Sequence, residues 1–448
     1  MIKKVFAANR GEIVNRIMRT CRLMGIETVV AYSDADADAN YVTEADAAFH
    51  IGASLPMKSY LNIEVIIAAI RESGADAVHP GYGFLSEQAA FARAVEAIGA
   101  VWIGPSADVL EKIESKSYCR RIVSDAGVPV VPGSEGLVET AEEVLEIGRL
   151  YGYPIMLKLD GGGGGKGIEA IDEPRPVEEI KKTLKSLSHL GEMAFGSGEV
   201  YAEKRITPSK HVEVQFVADR LGNIICLGER ECSIQRRYQK IVEEAPSIAV
   251  TLEDRRKLYE NTAKIANAIG YCGAGTVEYL KDANGNYYFM EINARLQVEH
   301  PVSEMVTGVD IVEWQLLVAA GQALPLGQDE VKLRGHALEV RVYAEDPVTL
   351  LPCPGVITKL KFPHDADGAI RIEHAIREGS KVTPYYDPMI CKVIVSGNDR
   401  TACIATAKQA LGDFQIEGIR TNLESSIAIL EDGRFESGDF STDFIQSL

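Results

Sequence analysis

"YPIMLKLDGGGGGKGIEAI", residues 153 to 171, sets five consecutive glycines, Gly161 to Gly165, between two runs of strand character. A glycine-rich turn that cradles phosphate ordinarily leads from a strand into a helix. Both flanks here are β-like, so the stretch is neither a Rossmann fingerprint nor a P-loop. Five glycines cost backbone entropy on ordering, which a plain solvent loop rarely needs to bear. Without Cβ atoms, the backbone N–H groups can close over phosphates as a lid, with Lys166 adding a charge at its tip. An aspartate, Asp160, stands where the run begins.

Upstream, the first hundred residues alternate β-like apolar runs ("KKVFAAN", "IETVVAYS", "ADAVHPG", "AVWIGP") with helix-like segments. That βαβ alternation predicts an open parallel sheet with helices on both faces, whose ligands sit at the carboxyl ends of the strands. A helical stretch over roughly 106–127 leads to a proline- and glycine-marked loop. From about 130 to 205 a compact unit carries the glycine run. A larger unit follows, with "HVEVQFVAD", "IICLGERE", a helix near 252–269, "GAGTVEYL" and "YYFMEIN". After about 331 come "HALEVRVYAED", "GVITKLKFP", "MICKVIVSG" and a helix at 400–413.

The 448 residues exceed one ordinary core, and two to four domains are expected. A net charge of −18 argues against a general binder of nucleic acid or membrane surfaces. No apolar run is long enough to span a bilayer, and the N-terminal stretch reads as a first strand and helix rather than a signal peptide. The eight cysteines are scattered with no C-x-x-C pair, which predicts neither a zinc site nor a disulfide framework and suits a reducing cytoplasm.

Two further stretches carry chemistry. "ERECSIQRRYQKIVEEAP", residues 229–246, sets Arg230, Arg236, Arg237 and Lys240 against Glu229, Glu231, Glu243 and Glu244. It is a solvated charged face or a site for a small anion. In "GAGTVEYL…YYFMEINARLQVEHP", Glu278 and Glu291 fall in adjacent predicted strands, and period-two spacing puts Asn293 on the face of Glu291. Two carboxylates and an amide oxygen form a hard-oxygen set suited to Mg²⁺ bridging ATP phosphates. Arg295 is a candidate anion ligand and Glu299 a candidate base. His211 opens a strand beside Glu213, while His79, His336 and His374 fit ordinary core or surface positions as well as any role.

Taken together, "AANRGEI", "HPGYGFLSE", "IGP", the five-glycine loop, "HVEVQ", "QRR-QK-EEAP", "GAGTVEY", "EINARLQVEHPV-E-TG-D", "EDP", "PYYDPMI" and "GIRTN" occur in one order along essentially the whole chain. In that order and spacing the chain resembles the biotin carboxylase family of the ATP-grasp superfamily. The resemblance implies an α/β and α+β protein in three parts. These are an N-terminal doubly wound domain (1–113), an ATP-grasp domain (114–331) with a mobile glycine-rich lid (131–204), and a C-terminal biotin-carboxylase-type domain (332–448).

By the same resemblance, Lys116 and Lys158 touch ATP phosphates beneath Gly163, Gly164, Gly165 and Lys166 of the lid. Glu203, Lys204 and Ile206 make adenine and linker contacts, and His211, Gln235 and Tyr238 line ribose and phosphates. Glu278, Glu291 and Asn293 match the set for Mg²⁺ (or Mn²⁺). Lys240, Arg295, Gln297, Val298 and Glu299 match a bicarbonate pocket, and Tyr82 and Arg341 match positions facing biotin. The implied catalytic residues are Arg295, Glu299, Lys240 and Arg341. The implied activity is ATP- and bicarbonate-dependent carboxylation of biotin through carboxyphosphate.

The chain lacks an "AMKM"-type biotinyl-lysine motif and a carboxyltransferase domain. A biotin carboxyl carrier protein and carboxyltransferase subunits are therefore the expected partners, in an acetyl-CoA, propionyl-CoA or pyruvate carboxylase. A cytoplasmic homodimer without nucleic-acid or membrane partners is expected. Two alternatives stand beside this one: an ATP-grasp ligase that activates bicarbonate for another acceptor, and a non-catalytic nucleotide-binding regulator.

The chain departs from the family pattern at three places. Leu159 and Asp160 stand where a small residue or serine is usual, Lys166, Gly167, Ile168 and Glu169 replace Arg-Gly-Met-Arg, and Tyr238 replaces histidine. At an effective dielectric near 20, a unit charge ~6 Å from a phosphate is worth about 3 kcal/mol, so an inward carboxylate would weaken ATP binding. The expectation is that Asp160 and Glu169 face solvent or pair with a lysine, leaving an active enzyme with altered nucleotide affinity.

Overall fold

The computed structural model describes residues 2–162, 167–365 and 368–448, and all of residue 195 except its side chain. The expectations placed on Gly163, Gly164, Gly165 and Lys166 lie outside the described residues.

The four strands expected in the N-terminal alternation form, and a fifth at 47–50 with a short helix before it, not expected from the sequence, joins them. Strands β1 (Lys4–Ala7), β2 (Glu27–Tyr32), β3 (Ala47–His50), β4 (Ala77–His79) and β5 (Val101–Trp102) form one parallel sheet in the order β3-β2-β1-β4-β5. Its helices are α1 (Glu12–Leu23), α2 (Asn40–Glu44), α3 (Ile63–Ser73) and α4 (Ala89–Ala97). The order reverses between β1 and β4. The loop after β1 meets the loop after β4 there, where Asn9 donates to the carbonyls of Pro80 and Tyr82 at 2.6 and 2.8 Å.

The single helical stretch expected over 106–127 is two helices, α5 (Ala107–Glu114) and α6 (Lys116–Asp125). Ser115 is extended between them and accepts the N–H of Tyr118 through its side chain, which ends one helix and caps the next.

The unit carrying the glycine run is a four-stranded antiparallel sheet in the order β6-β9-β7-β8. Its strands are β6 (Gly133–Leu137), β7 (Ile155–Leu159), β8 (Ile168–Ile171) and β9 (Val200–Lys204), backed by α7 (Ala141–Tyr151) and α8 (Val177–Phe195). Its apolar interior is separate from the rest of the core and includes Ile155, Leu157, Leu159, Ile171, Ile180 and Ala202.

The platform is one eight-stranded antiparallel sheet. It begins with β10 (Lys210–Ala218), β11 (Ile224–Arg236), β12 (Gln239–Ala245), β13 (Gly273–Lys281) and β14 (Tyr287–Asn293), with α9 (Leu252–Ile269), α10 (His300–Thr307) and α11 (Ile311–Ala319) around it. It continues without a break into β15 (His336–Tyr343), which pairs with β12. "GVITKLKFP" is not one strand but two short ones, β16 (Gly355–Val356) and β17 (Lys359–Lys361). These pair separately with β19 (Lys381–Val382) and β21 (Gln415–Glu417). The chain then adds β18 (Ile370–His374) and β20 (Met389–Gly397) to the far edge of the large sheet, and α12 (Arg400–Asp413) packs on it. The sheet order is β14-β13-β10-β11-β12-β15-β20-β18, so β10 through β15, β18 and β20 belong to one sheet.

Candidate active site

Antiparallel register assembles the site. Glu278 on β13 lies directly opposite Glu213 on β10 and Glu291 on β14. Cross-strand partners share a face with Cβ atoms ~5 Å apart, so three carboxylates are brought side by side. Lys240 on β12 reaches across and places its ammonium 2.5 Å from Glu213, 2.9 Å from Glu278 and 2.6 Å from Glu299. The other Glu299 oxygen accepts from Arg341 on β15 at 2.8 Å, and Arg341 also pairs with Glu243. Lys240, Glu299 and Arg341 thus form one continuous ion-paired chain.

The electrostatics follow from burial. Burial alone would raise the Glu299 carboxyl, but the positive charges of Lys240, Arg341 and Arg230 outweigh it and hold the group well below the usual carboxylate range. For Lys240 burial works against the charge, and Glu213, Glu278 and Glu299 overcome it, so the ammonium is held firmly protonated. Glu278 is kept ionised by Lys240 and His211 against the same desolvation.

The residues expected to touch bicarbonate are brought together around Glu278. Gln297 donates to it at 2.9 Å and Asn293 at 2.8 Å, and Asn293 in turn accepts from Arg295 at 2.9 Å. The carbonyl of Val298 accepts from the Lys392 ammonium at 2.7 Å.

For the nucleotide residues, Lys116 at the start of α6 pairs with Glu291 at 2.7 Å, and Lys158 on β7 pairs with Glu203 on β9. His211 lies 3.0 Å from Glu278. The Lys204 ammonium donates to the carbonyl of Tyr153 at 2.7 Å, and Ile206 is half-buried just beyond β9. Gln235 faces Lys240 in the β11–β12 register. Tyr238 sits on the turn between those strands with φ 66°, 54% exposed, and no side-chain hydrogen bond among the described residues links it to the cluster. Tyr82 donates its hydroxyl to Glu12 of α1.

Glu278, Glu291 and Asn293 fit a hard divalent cation by donor chemistry: two carboxylates in facing register and an amide two residues along the same strand. Two other groups of acidic, histidine and cysteine side chains also cluster among the described residues. His211, Glu213 and Glu278 lie within 4.8 Å of one another, as do Glu213, Cys232 and Glu299. Glu213 already carries the charges of Arg230 at 2.5 Å and Lys240, so that grouping is neutralised by the protein itself.

Two expectations are corrected. Asp160 neither faces solvent nor pairs with a lysine. It is 3% exposed, and its two oxygens accept from the Ser117 N–H and the Ser115 hydroxyl, each at 2.6 Å. Glu169 is exposed, as expected. The charged run 229–246 is neither a solvated face nor, as a whole, an anion site. Arg230 is fully buried, its donors taken by Glu213, Gln215, Thr276, Gln297 and Ser303, and Arg236 pairs with Glu345, while Lys240 contacts Glu213, Glu278 and Glu299. Glu213, Glu243 and Glu87 were not among the expected site residues. Glu87, the last residue of "HPGYGFLSE", accepts from Arg295 at 3.0 Å and from the Ala294 N–H at 2.9 Å. It ties the N-terminal sheet to the anion residues. The motif's terminal acid was visible in sequence, but its partner lies 208 residues away.

A parallel-sheet domain, a small β unit with a glycine run and an acid-lined antiparallel platform together define an ATP-grasp ligase. The description "Carbamoyl-phosphate synthase L chain, ATP binding domain" matches residues 115–326, "Biotin carboxylase, N-terminal domain" matches 1–110, and "Biotin carboxylase C-terminal domain" matches 339–447. A biotin carboxylase of Halalkalibacterium halodurans is 48% identical over 445 residues, 99% of this chain and 97% of that one. A Campylobacter jejuni biotin carboxylase solved as a β,γ-ATP complex superposes with a TM-score of 0.96 at 43% identity, covering 100% and 99% of the two chains. The biotin carboxylase domain dimer of Hydrogenobacter thermophilus 2-oxoglutarate carboxylase, solved with MgADP, ADP and bicarbonate, gives a TM-score of 0.96 at 42% identity, covering 100% and 98%. The chain belongs to the biotin carboxylase family and is an ATP-dependent carboxylase. Among the described residues, no helix is long and apolar enough to cross a membrane.

Proposed function

We propose that the chain carboxylates biotin carried on a biotin carboxyl carrier protein, consuming ATP and bicarbonate, with the residue roles that follow. The observation that carries those roles is the Lys240–Glu299–Arg341 chain, which links the bicarbonate residues to the biotin residues through one carboxylate. Glu278, Glu291 and Asn293 would hold Mg²⁺ or Mn²⁺, which neutralises phosphoryl charge when bound.

Lys116 and Lys158 bind the phosphates, and each now rests on a carboxylate that the triphosphate would replace. Glu203, Lys204 and Ile206 frame adenine, with His211, Gln235 and Tyr238 beside the ribose and phosphates. Lys240, Arg295, Gln297 and Val298 orient bicarbonate, whose oxygen attacks the γ-phosphorus as the bond to ADP breaks. Carboxyphosphate then releases CO₂ and phosphate beside biotin. Glu299 takes the bicarbonate proton, and the released phosphate or Glu299 takes the ureido proton as the C–N bond to CO₂ forms. Arg341 holds the ureido oxygen as it gains charge, next to Tyr82.

Free of substrate, Glu299 is a poor base because two cations hold it ionised. Bicarbonate and the ureido oxygen compete for those same cations. Basicity therefore rises as each substrate takes its cation, first with bicarbonate and further with biotin. The domain division at 113/114 and 331/332 with a lid over 131–204, a homodimer like that of the Hydrogenobacter domain, a separate carboxyltransferase and a cytoplasmic location belong to the same proposal.

The test supplies ATP, Mg²⁺, labelled bicarbonate and free biotin to the purified chain. Acid-labile label on biotin is expected. ATP turnover with label on no acceptor would contradict biotin as the acceptor.

A further inference from the structure

Every polar group of Asp160 is occupied, and most of its contacts converge on one short segment. Its carboxylate accepts from the Ser117 N–H and the Ser115 hydroxyl, each at 2.6 Å, and its carbonyl accepts from the Lys116 N–H at 3.4 Å. Its own N–H donates to the Glu199 carbonyl at 2.9 Å. One residue at the root of the glycine run therefore holds the peptide carrying Lys116 from both sides.

The preceding residue is staked in the opposite direction. Leu159 is 1% exposed in the interior of the glycine-run unit, and its N–H donates to the Gly167 carbonyl at 2.9 Å. Side chains at Gly167 or Gly191 would collide with it, and Gly167 has φ +75°, so both positions leave room for leucine. The dipeptide Leu159–Asp160 thus joins two bodies: leucine into the unit's apolar core, aspartate onto the start of α6. The carboxylate meets the positive end of α6, whose N–H and hydroxyl donors absorb its charge.

We propose that Asp160 is a positioning residue that fastens the root of the glycine-run unit to α6, so that Lys116 and the unit approach the nucleotide phosphates as one assembly. The proposal rests on the assignment of Lys116 as a phosphate contact. Its content is geometric, and it opposes the view that a carboxylate at this place acts by repelling ATP.

The experiment measures KM for ATP, kcat and melting temperature for Asp160→Ala, Asp160→Asn, Ser115→Ala and Lys116→Ala. Asp160→Ala is expected to raise KM about tenfold with kcat within about twofold of the parent. Asp160→Asn retains an acceptor for the Ser117 N–H and a donor toward the Ser115 hydroxyl, and is expected to return KM to within about threefold. Ser115→Ala, which leaves the Asp160 charge in place, is expected to raise KM severalfold. It supplies the readout should Asp160→Ala fail to fold.

A lower KM in both Asp160 variants would mean the residue acts by charge and would overturn the proposal. So would a drop in melting temperature with KM unchanged. An unchanged KM in Lys116→Ala would remove the phosphate contact itself, and the proposal with it. A raised KM in Lys116→Ala with parental values in Asp160→Ala and Ser115→Ala would reject the fastening alone.

Discussion

The platform face and the glycine-run unit are built on opposite principles. On the platform, one ammonium, Lys240, serves three buried carboxylates that come from β10, β13 and the start of α10, and Arg341 serves two more contacts beside it. The charges hold one another in place, and the sheet register fixes where they stand. The glycine-run unit keeps an apolar interior and meets α6 through the polar contacts of Asp160 and the Arg120–Glu203 pair at 3.4 Å. The first arrangement is sensitive to any single deletion, because a buried charge left alone is costly. In the second, the apolar interior is independent of the contacts that join the unit to α6.

Lys240→Ala should break the platform most severely. Three carboxylates lose a shared partner, and kcat should fall by about 10³-fold, with a stability loss of about 3–5 kcal/mol. Initial rates and urea unfolding measure the two effects, and a loss under tenfold would mean the ion-paired chain is ornamental to catalysis. Leu159→Ala strikes the other region. It should cost about 2–4 kcal/mol from the cavity left in the unit's core, read by hydrogen exchange in β7 and β9, with the platform strands unchanged. If exchange rose equally across both regions, they would not be separate bodies.

The difference in construction also explains what the sequence disclosed. The βαβ alternation was legible because parallel strands buried on both faces are continuous apolar runs, and Glu278, Glu291 and Asn293 were legible because strands have period two. The break at Ser115 was not, since helix-forming residues continue on either side of it. Nor was the fate of the charged run 229–246. Period two says which residues share a face but not which strand lies opposite, so Arg230 could not be told from a ligand until β10 and the loop before α10 surrounded it. Asp160 misled for the same reason: its partners lie 43 and 45 residues away.

A smaller effect sharpens the account of the platform. Glu339 on β15 lies opposite Glu243 on β12, and neither of its buried oxygens has a hydrogen-bond partner among the described residues. Burial, reinforced by Glu243 and Glu299 against the attraction of Lys392 and Arg341, raises its carboxyl well above the ordinary 4.5. The folded state then holds a proton that the unfolded chain releases, so stability falls as pH rises above about 4.5 toward the folded value. Glu339→Gln should therefore match the parent near pH ~5 and exceed it by about 1–2 kcal/mol near pH ~8, by urea unfolding. A gap that shrinks with rising pH would contradict a protonated Glu339.

The central claim is that one ion-paired chain couples bicarbonate to biotin. It is tested most directly by ADP release from the purified chain with ATP and Mg²⁺ alone, then with bicarbonate, then with free biotin added. The account predicts little release without bicarbonate, release with it, and a further rise with biotin. Bound ATP with release indifferent to bicarbonate would contradict it.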